Sequence, residues 1–181
     1  MRFEIRFVGF GGQGIIKSGI ITAAAASVHG GKNAVQTQSY GPESRGGACR
    51  SEVVISEEEI DFPKVVEPDV LVLMSQHAYN EYAENVKAGG MILLDPDMIP
   101  HEKDLRNVKV FRIPATKIAE VLGRKIVANI VMLGAIAALT GVLDKNALKE
   151  SIKENIPRGT EELNLAAFEK GYEYAKNLLK S

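Results

Sequence analysis

Two glycine-bearing stretches hold the residues best suited to chemistry. The first, Gly9-Phe10-Gly11-Gly12-Gln13-Gly14, satisfies the pattern Gly-x-Gly-x-x-Gly. Where such a run leaves a strand and opens a helix, the first helical N–H groups lack partners and can hold a phosphate. The second, Ser39-Tyr40-Gly41-Pro42-Glu43-Ser44-Arg45-Gly46-Gly47-Ala48-Cys49, is too rich in Gly and Pro to be regular structure. Loops of that length in compact domains are commonly binding loops. Arg45 and Arg50 bracket its glycines, and a guanidinium there could clamp a carboxylate or phosphate through paired N–H donors. A local pair between Arg45 and Glu43 would instead stiffen the loop, and the two roles are compatible. Tyr40 can equally be a packing anchor.

Neither stretch makes an enzyme by itself. A dinucleotide site wants an acidic residue about 20 positions further on to hold the ribose, whereas the second expected strand ends in Gln36-Thr37-Gln38, with no carboxylate before Glu43. No Gly-Lys-Ser/Thr follows the glycines, so nucleotide hydrolysis has no support. Two readings remain for the first stretch. One is a tight strand-to-helix turn; the other is a phosphate-contacting turn facing a cofactor held mainly by another chain. Cys49, with no histidine near it in sequence, reads as a buried small residue. His29, His77 and His101 lie too far apart for metal-ligand spacing and read as helix-end or surface residues. Asp95-Pro96-Asp97 stands where a strand gives way to a loop, either a ligand position or an ordinary turn. No local motif pairs a nucleophile with a base, so no catalytic or metal-binding residue is assigned.

The elements that must position these residues follow from hydrophobic periodicity. Strands are expected over Phe3 to Phe10, Asn33 to Gln38, Arg50 to Ser56, Asp69 to Ser75, Met91 to Asp95 and Val108 to Ile113. Helices are expected over Ile15 to His29, His77 to Val86, Thr116 to Leu122, Lys125 to Gly141, Lys145 to Asn155 and Glu161 to Lys180. Strands alternating with helices imply a largely parallel sheet covered on both faces, hence a Rossmann-like three-layer α/β/α sandwich. The short link between the second and third strands calls for one antiparallel pairing, which makes the sheet mixed.

Composition bounds the rest. The chain has 181 residues, 45% of them hydrophobic, which suits one domain over 1–181. A net charge of −1, from 22 basic and 23 acidic residues, leaves no footprint for nucleic acid or an anionic membrane. One cysteine provides neither an internal disulfide nor the four thiolates of an iron–sulfur cluster. The N-terminal residues show no signal-peptide pattern, so the expected location is cytoplasmic. Ile126 to Leu143 is uncharged over a length near the lower limit for a bilayer span. Asn129, Thr140 and several Ala and Gly favour a buried helix, or an apolar face used for dimerisation or subunit contact.

Taken together, Gly9-Phe10-Gly11-Gly12-Gln13-Gly14 and the later Gln38-Ser39-Tyr40-Gly41-Pro42-Glu43-Ser44-Arg45-Gly46-Gly47 closely resemble the gamma subunit of 2-oxoacid:ferredoxin oxidoreductases. The resemblance spans the chain, and the second stretch is the more specific of the two. In wording it is most similar to the 2-oxoglutarate type; pyruvate-type chains tend to carry aromatic residues where Thr37 to Tyr40 stand. The resemblance implies that alpha and beta subunits bind thiamine diphosphate and Mg²⁺, with iron–sulfur clusters in a beta or delta-type chain. The assembly would convert a 2-oxoacid and coenzyme A to acyl-CoA, CO₂ and reduced ferredoxin, and this chain would be inactive alone and hold no cofactor alone. It further implies coenzyme A contacts at Gly11, Gly12, Gln13 and Gly14, and at Ser39, Tyr40, Gly41, Pro42, Glu43, Arg45, Gly46 and Gly47. The competing class is a stand-alone nucleotide- or dinucleotide-binding oxidoreductase. A homodimer is compatible with either.

Overall fold

The computed structural model describes residues 1–40 and 48–181. Its six strands are β1 (Arg2–Phe10), β2 (Asn33–Tyr40), β3 (Ala48–Ser56), β4 (Val70–Leu73), β5 (Met91–Leu94) and β6 (Lys109–Arg112). They form one sheet in the order β2-β3-β1-β4-β5-β6. β3 runs antiparallel to both β1 and β2, while β1, β4, β5 and β6 are parallel neighbours in turn. The mixed sheet follows from chain length: seven residues separate β2 from β3, too few for the crossover that a parallel pair requires. β2 runs on to Tyr40 and β3 starts at Ala48, two residues past each expected boundary. Ladder pairing continues that far, with Tyr40 opposite Cys49 and Phe10 opposite Ala48.

The helices are α1 (Ile15–Ala24), α2 (Gln76–Tyr82), α3 (Ala115–Val121), α4 (Ala128–Thr140), α5 (Lys145–Glu154) and α6 (Glu161–Lys180). α1 continues through a π-helical turn, Ala25–His29, and α4 is preceded by a 3₁₀ turn, Lys125–Val127. Side chains alternate across the sheet, as the strand period of two demands. Ile5, Phe7, Val53, Ile55 and Val72 share a core with α1, α4 and α6. Val8, Leu71, Leu73, Ile92 and Leu94 share another with Ala78 and Tyr79 of α2 and with Ile99. The outer layers are therefore unequal. Among the described residues the second contains one helix, α2, which stops at Tyr82 short of Val86 because the Asn85 N–H turns back to the Tyr82 carbonyl at 2.8 Å. Ser75 caps α2 by accepting from Ala78 N at 3.1 Å, and Asp144 caps α5 by accepting from Ala147 N at 2.9 Å.

The long uncharged stretch resolves into α4, buried at every residue from Ala128 to Ala137. Among the described residues no helix is long and apolar enough to cross a membrane. The same burial removes the ground for reading this stretch as an exposed dimerisation face, since the chain covers it with its own α6. The covering is close: a Cβ on Gly134 would lie within 3.0 Å of the Phe168 and Tyr172 backbone, and one on Gly171 within 3.0 Å of the Val131 backbone. Small residues let the two helix backbones touch, which no larger side chain at these two positions would permit. Beside this seam α5 is tied to α6 by Lys145 and Lys149, both paired with Glu169.

Candidate functional site

The first glycine stretch forms the turn from β1 into α1, at the carboxyl end of a central strand where open α/β sheets receive ligands. Gln13 builds it. Its Oε1 accepts from Phe10 N at 2.7 Å, and its Nε2 donates to Met74 O at 2.9 Å, tying the turn to the end of β4. A Cβ on Gly9 would run into that Gln13 side chain and Met74. Gly12 and Gly14 take φ of +91° and +74°, which glycine adopts without strain. Gly14 precedes α1 without a side-chain cap, and no acidic residue stands in the helix's first turn. The first intrahelical bond runs from Ser18 N to Gly14 O at 2.9 Å. Among the described residues the N–H groups of Ile15 and Lys17 thus have no backbone partner at the positive end of the helix dipole, while that of Ile16 is turned to Cys49.

These groups border a cleft of about 600 Å³. One wall is Gly11, Gly12, Gly14, Ile16, Lys17 and Tyr40; the other comes from the start of α4 and the link from α5 into α6, with Ile126, Ile130, Ile156 and Leu163. Asn129 joins the walls by donating Nδ2 to Gly14 O at 3.2 Å. Lys17 and Arg124 are both exposed and take no ion-pair partner among the described residues, and no described acidic residue lines the cleft. Cations, free N–H groups and apolar walls together suit a ligand with anionic phosphates and a long apolar portion. They do not suit acid–base chemistry. Cys49 is 4% exposed, and burial pushes its thiol up from the ordinary range, only partly opposed by a hydrogen bond with the Ile16 backbone. Its thiolate is disfavoured.

Of the residues singled out in sequence, Gly11, Gly12, Gly14 and Tyr40 line this cleft, with Tyr40 66% exposed. Gln13 is spent inside the turn, and Ser39 is not among the lining residues, since it sits one position from Tyr40 on an alternating strand. Gly41, Pro42, Glu43, Arg45, Gly46 and Gly47 lie outside the described residues. Arg50 departs from its expected role. It stands on the face of β3 opposite Cys49, where Nη1 donates to Tyr82 Oη at 3.1 Å and Nε lies 3.6 Å from Glu52 Oε1. It belongs to a closed cluster around Arg6, whose Nε donates to Glu52 Oε2 at 2.6 Å, Nη2 to Val65 O at 2.8 Å and Nη1 to Asn85 Oδ1, with the Tyr82 ring 5.4 Å away. Asp95 is structural: buried, it accepts from Thr116 N at 2.8 Å and Thr116 Oγ1 at 2.6 Å at the start of α3. His29 pairs with Glu154 and His77 with Glu81, both as helix-surface contacts. No group of three potential metal ligands occurs among the described residues.

Lys17, Arg124, Asn129 and Asn164 are cleft residues that sequence reading missed. Lys17 had a local signal, lying in the first turn behind the glycines. The other three come from distant segments, and only tertiary packing gathers them.

The model of the pyruvate ferredoxin/flavodoxin oxidoreductase family matches residues 4–174. The chain belongs to this family. It is 54% identical to 2-oxoglutarate synthase subunit KorC of Methanocaldococcus jannaschii over 180 residues, covering 98% of this chain and 96% of that one. The crystal structure of the keto/oxoacid ferredoxin oxidoreductase gamma subunit of Geobacter sulfurreducens superposes with a TM-score of 0.88 at 44% identity, covering 97% of each chain. The 2-oxoglutarate:ferredoxin oxidoreductase of Magnetococcus marinus, with 2-oxoglutarate, coenzyme A and succinyl-CoA bound, superposes with a TM-score of 0.87 at 29% identity, covering 99% of this chain and 32% of that longer one. Within the family this is a gamma-type subunit of a 2-oxoacid:ferredoxin oxidoreductase. The stand-alone dinucleotide enzyme has no support from these relatives.

Proposed function

We propose that this chain serves a cytoplasmic 2-oxoglutarate:ferredoxin oxidoreductase and that its cleft receives coenzyme A. One observation carries the reading: a cleft with no acidic residue among its described lining, in which Lys17, Arg124 and the N–H groups of Ile15 and Lys17 meet apolar walls. Coenzyme A has that same division, with phosphates at one end and a largely apolar arm at the other. Gly11 and Gly12 support it by leaving the backbone open, since a Cβ at either would meet nothing within 4 Å. The candidate contacts at Gly41, Pro42, Glu43, Arg45, Gly46 and Gly47 belong to the same proposal.

The chain's part is to bind and orient. Thiamine diphosphate with Mg²⁺ supplies the decarboxylation chemistry, and iron–sulfur clusters pass the electrons to ferredoxin. One cysteine and no clustered metal ligands among the described residues do not fit a resident cluster or metal, so these groups fall to alpha, beta and delta-type partners. The isolated chain is then inactive.

The test is anaerobic purification of the tagged chain from its native host, with mass spectrometry of what accompanies it. Co-purifying thiamine-binding partners, and viologen reduction that needs both 2-oxoglutarate and coenzyme A, are the expected result. A chain recovered alone, or a complex indifferent to coenzyme A, overturns the proposal.

A further inference from the structure

Asn129, in the first turn of α4, and Asn164, in the first turn of α6, both line the cleft, and each is only 6% exposed. Their amide orientations are fixed by partners that can only accept. Asn129 Nδ2 donates to Gly14 O at 3.2 Å, and Asn164 Nδ2 donates to Thr160 O at 2.9 Å. The carbonyl oxygen of each is left over, and neither accepts a hydrogen bond from any described residue. Nor are these oxygens sealed away: among the described residues, the unpartnered side-chain atoms cut off from solvent are Glu4 Oε1 and Arg50 Nε. With no donor among the described residues, these oxygens can accept one from outside the chain, and the space these residues adjoin is the cleft.

An acceptor fixed in an apolar wall favours ligands that bring a donor and rejects those that do not, because it is otherwise left unpaired. The exposed cations Lys17 and Arg124 suit phosphates, whereas the asparagines stand among Val127, Ile130 and Leu163, surroundings for an uncharged segment. The pantetheine arm of coenzyme A is such a segment, and it carries two secondary amides, each with one N–H. We propose that Asn129 and Asn164 are specificity-determining acceptors for the amide N–H groups of the coenzyme A arm. This rests on the coenzyme A reading of the cleft. The rival donor, the exocyclic amine of the adenine, is separated from it by the test.

Calorimetry on the assembled complex uses four probes: coenzyme A, adenosine 3′,5′-bisphosphate, and two coenzyme A analogues, each with an ester in place of a different arm amide. If coenzyme A does not bind the wild-type complex, the reading of the cleft itself fails. If it binds, Asn129→Leu and Asn164→Leu should each weaken coenzyme A about tenfold and leave the bisphosphate unchanged, the loss of one hydrogen bond that leaves its partner unsatisfied. Equal weakening of both ligands, or weakening of the bisphosphate alone, overturns the assignment to the arm. The ester analogues guard against a variant that misfolds. On the wild-type complex, at least one should bind about tenfold more weakly than coenzyme A, and equal affinity of both analogues overturns the proposal.

Discussion

Cys49 and Arg50 are consecutive residues of β3, yet they face two kinds of polar environment. On the Arg50 side, Arg6 and Glu52 are 5% and 10% exposed at their side chains, and all three guanidinium nitrogens of Arg6 have protein acceptors. On the Cys49 side, the N–H groups of α1, Lys17 and Arg124 border apolar walls and find no ion-pair partner among the described residues. Both regions draw cations towards one sheet, but the first pairs Arg6 with Glu52, Asn85 and Val65 internally, whereas the second leaves Lys17 and Arg124 without an ion-pair partner among the described residues. Charge that the fold itself neutralises is part of the scaffold; charge held open across a cleft is available to a ligand.

The sharpest way to break this comparison is to remove one member of the closed cluster. Glu52→Ala leaves the buried Arg6 uncompensated and should destabilise the protein by about 3–5 kcal/mol in denaturant unfolding. A loss under about 1 kcal/mol would mean that water already reaches the pair, since exposed pairs are worth no more than that. Changes on the open side should do the converse. Lys17→Ala and Arg124→Ala should each lower coenzyme A affinity of the complex about tenfold, an effect that shrinks with added salt. Each should leave the unfolding free energy within roughly 0.5 kcal/mol of wild type. Equal losses of stability and affinity would erase the distinction.

The smallest effect sharpens it from a third place. Hydrogen bonding to Lys149 holds the Glu169 carboxyl below its ordinary value of 4.5, helped by Lys145. A lowered folded-state pKa contributes stability above the unfolded value and loses it as pH falls through the folded one. Acidification below pH 4.5 should therefore cost the wild type slightly more stability than Glu169→Gln. Glu169 is about a third exposed, so solvent screens the pairs and the difference stays small. A variant as acid-sensitive as wild type would show that these lysine contacts add nothing.

The fold was legible because its signals are local. Gly9 to Gly14 marked the β1–α1 turn, and the short link between β2 and β3 pointed to the antiparallel strand. Apolar runs located β4 and β5. The site was legible only in part, for a physical reason. Gly11, Gly12, Gly14 and Tyr40 lie on segments with local signatures, whereas Arg124, Asn129 and Asn164 reach the cleft through the packing of α4 and α6, which no spacing in the chain encodes. Gln13 shows the opposite failure: it sits inside a ligand-like motif, yet its amide is spent holding the turn to Met74. Arg50 failed by parity alone, one position along an alternating strand.

The seam between α4 and α6 sets a limit on how this sequence can drift. A Cβ at Gly134 or Gly171 would meet the opposing backbone, not a side chain that could swing aside. No single compensating change nearby makes room, because backbone cannot be trimmed. The route from this sequence to one with a larger residue at either position passes through a separation of the two helices, and so through a repacking of the core that also carries Asn129 and Asn164 to the cleft. The two glycines thereby tie the walls of the cleft to a seam outside its described lining.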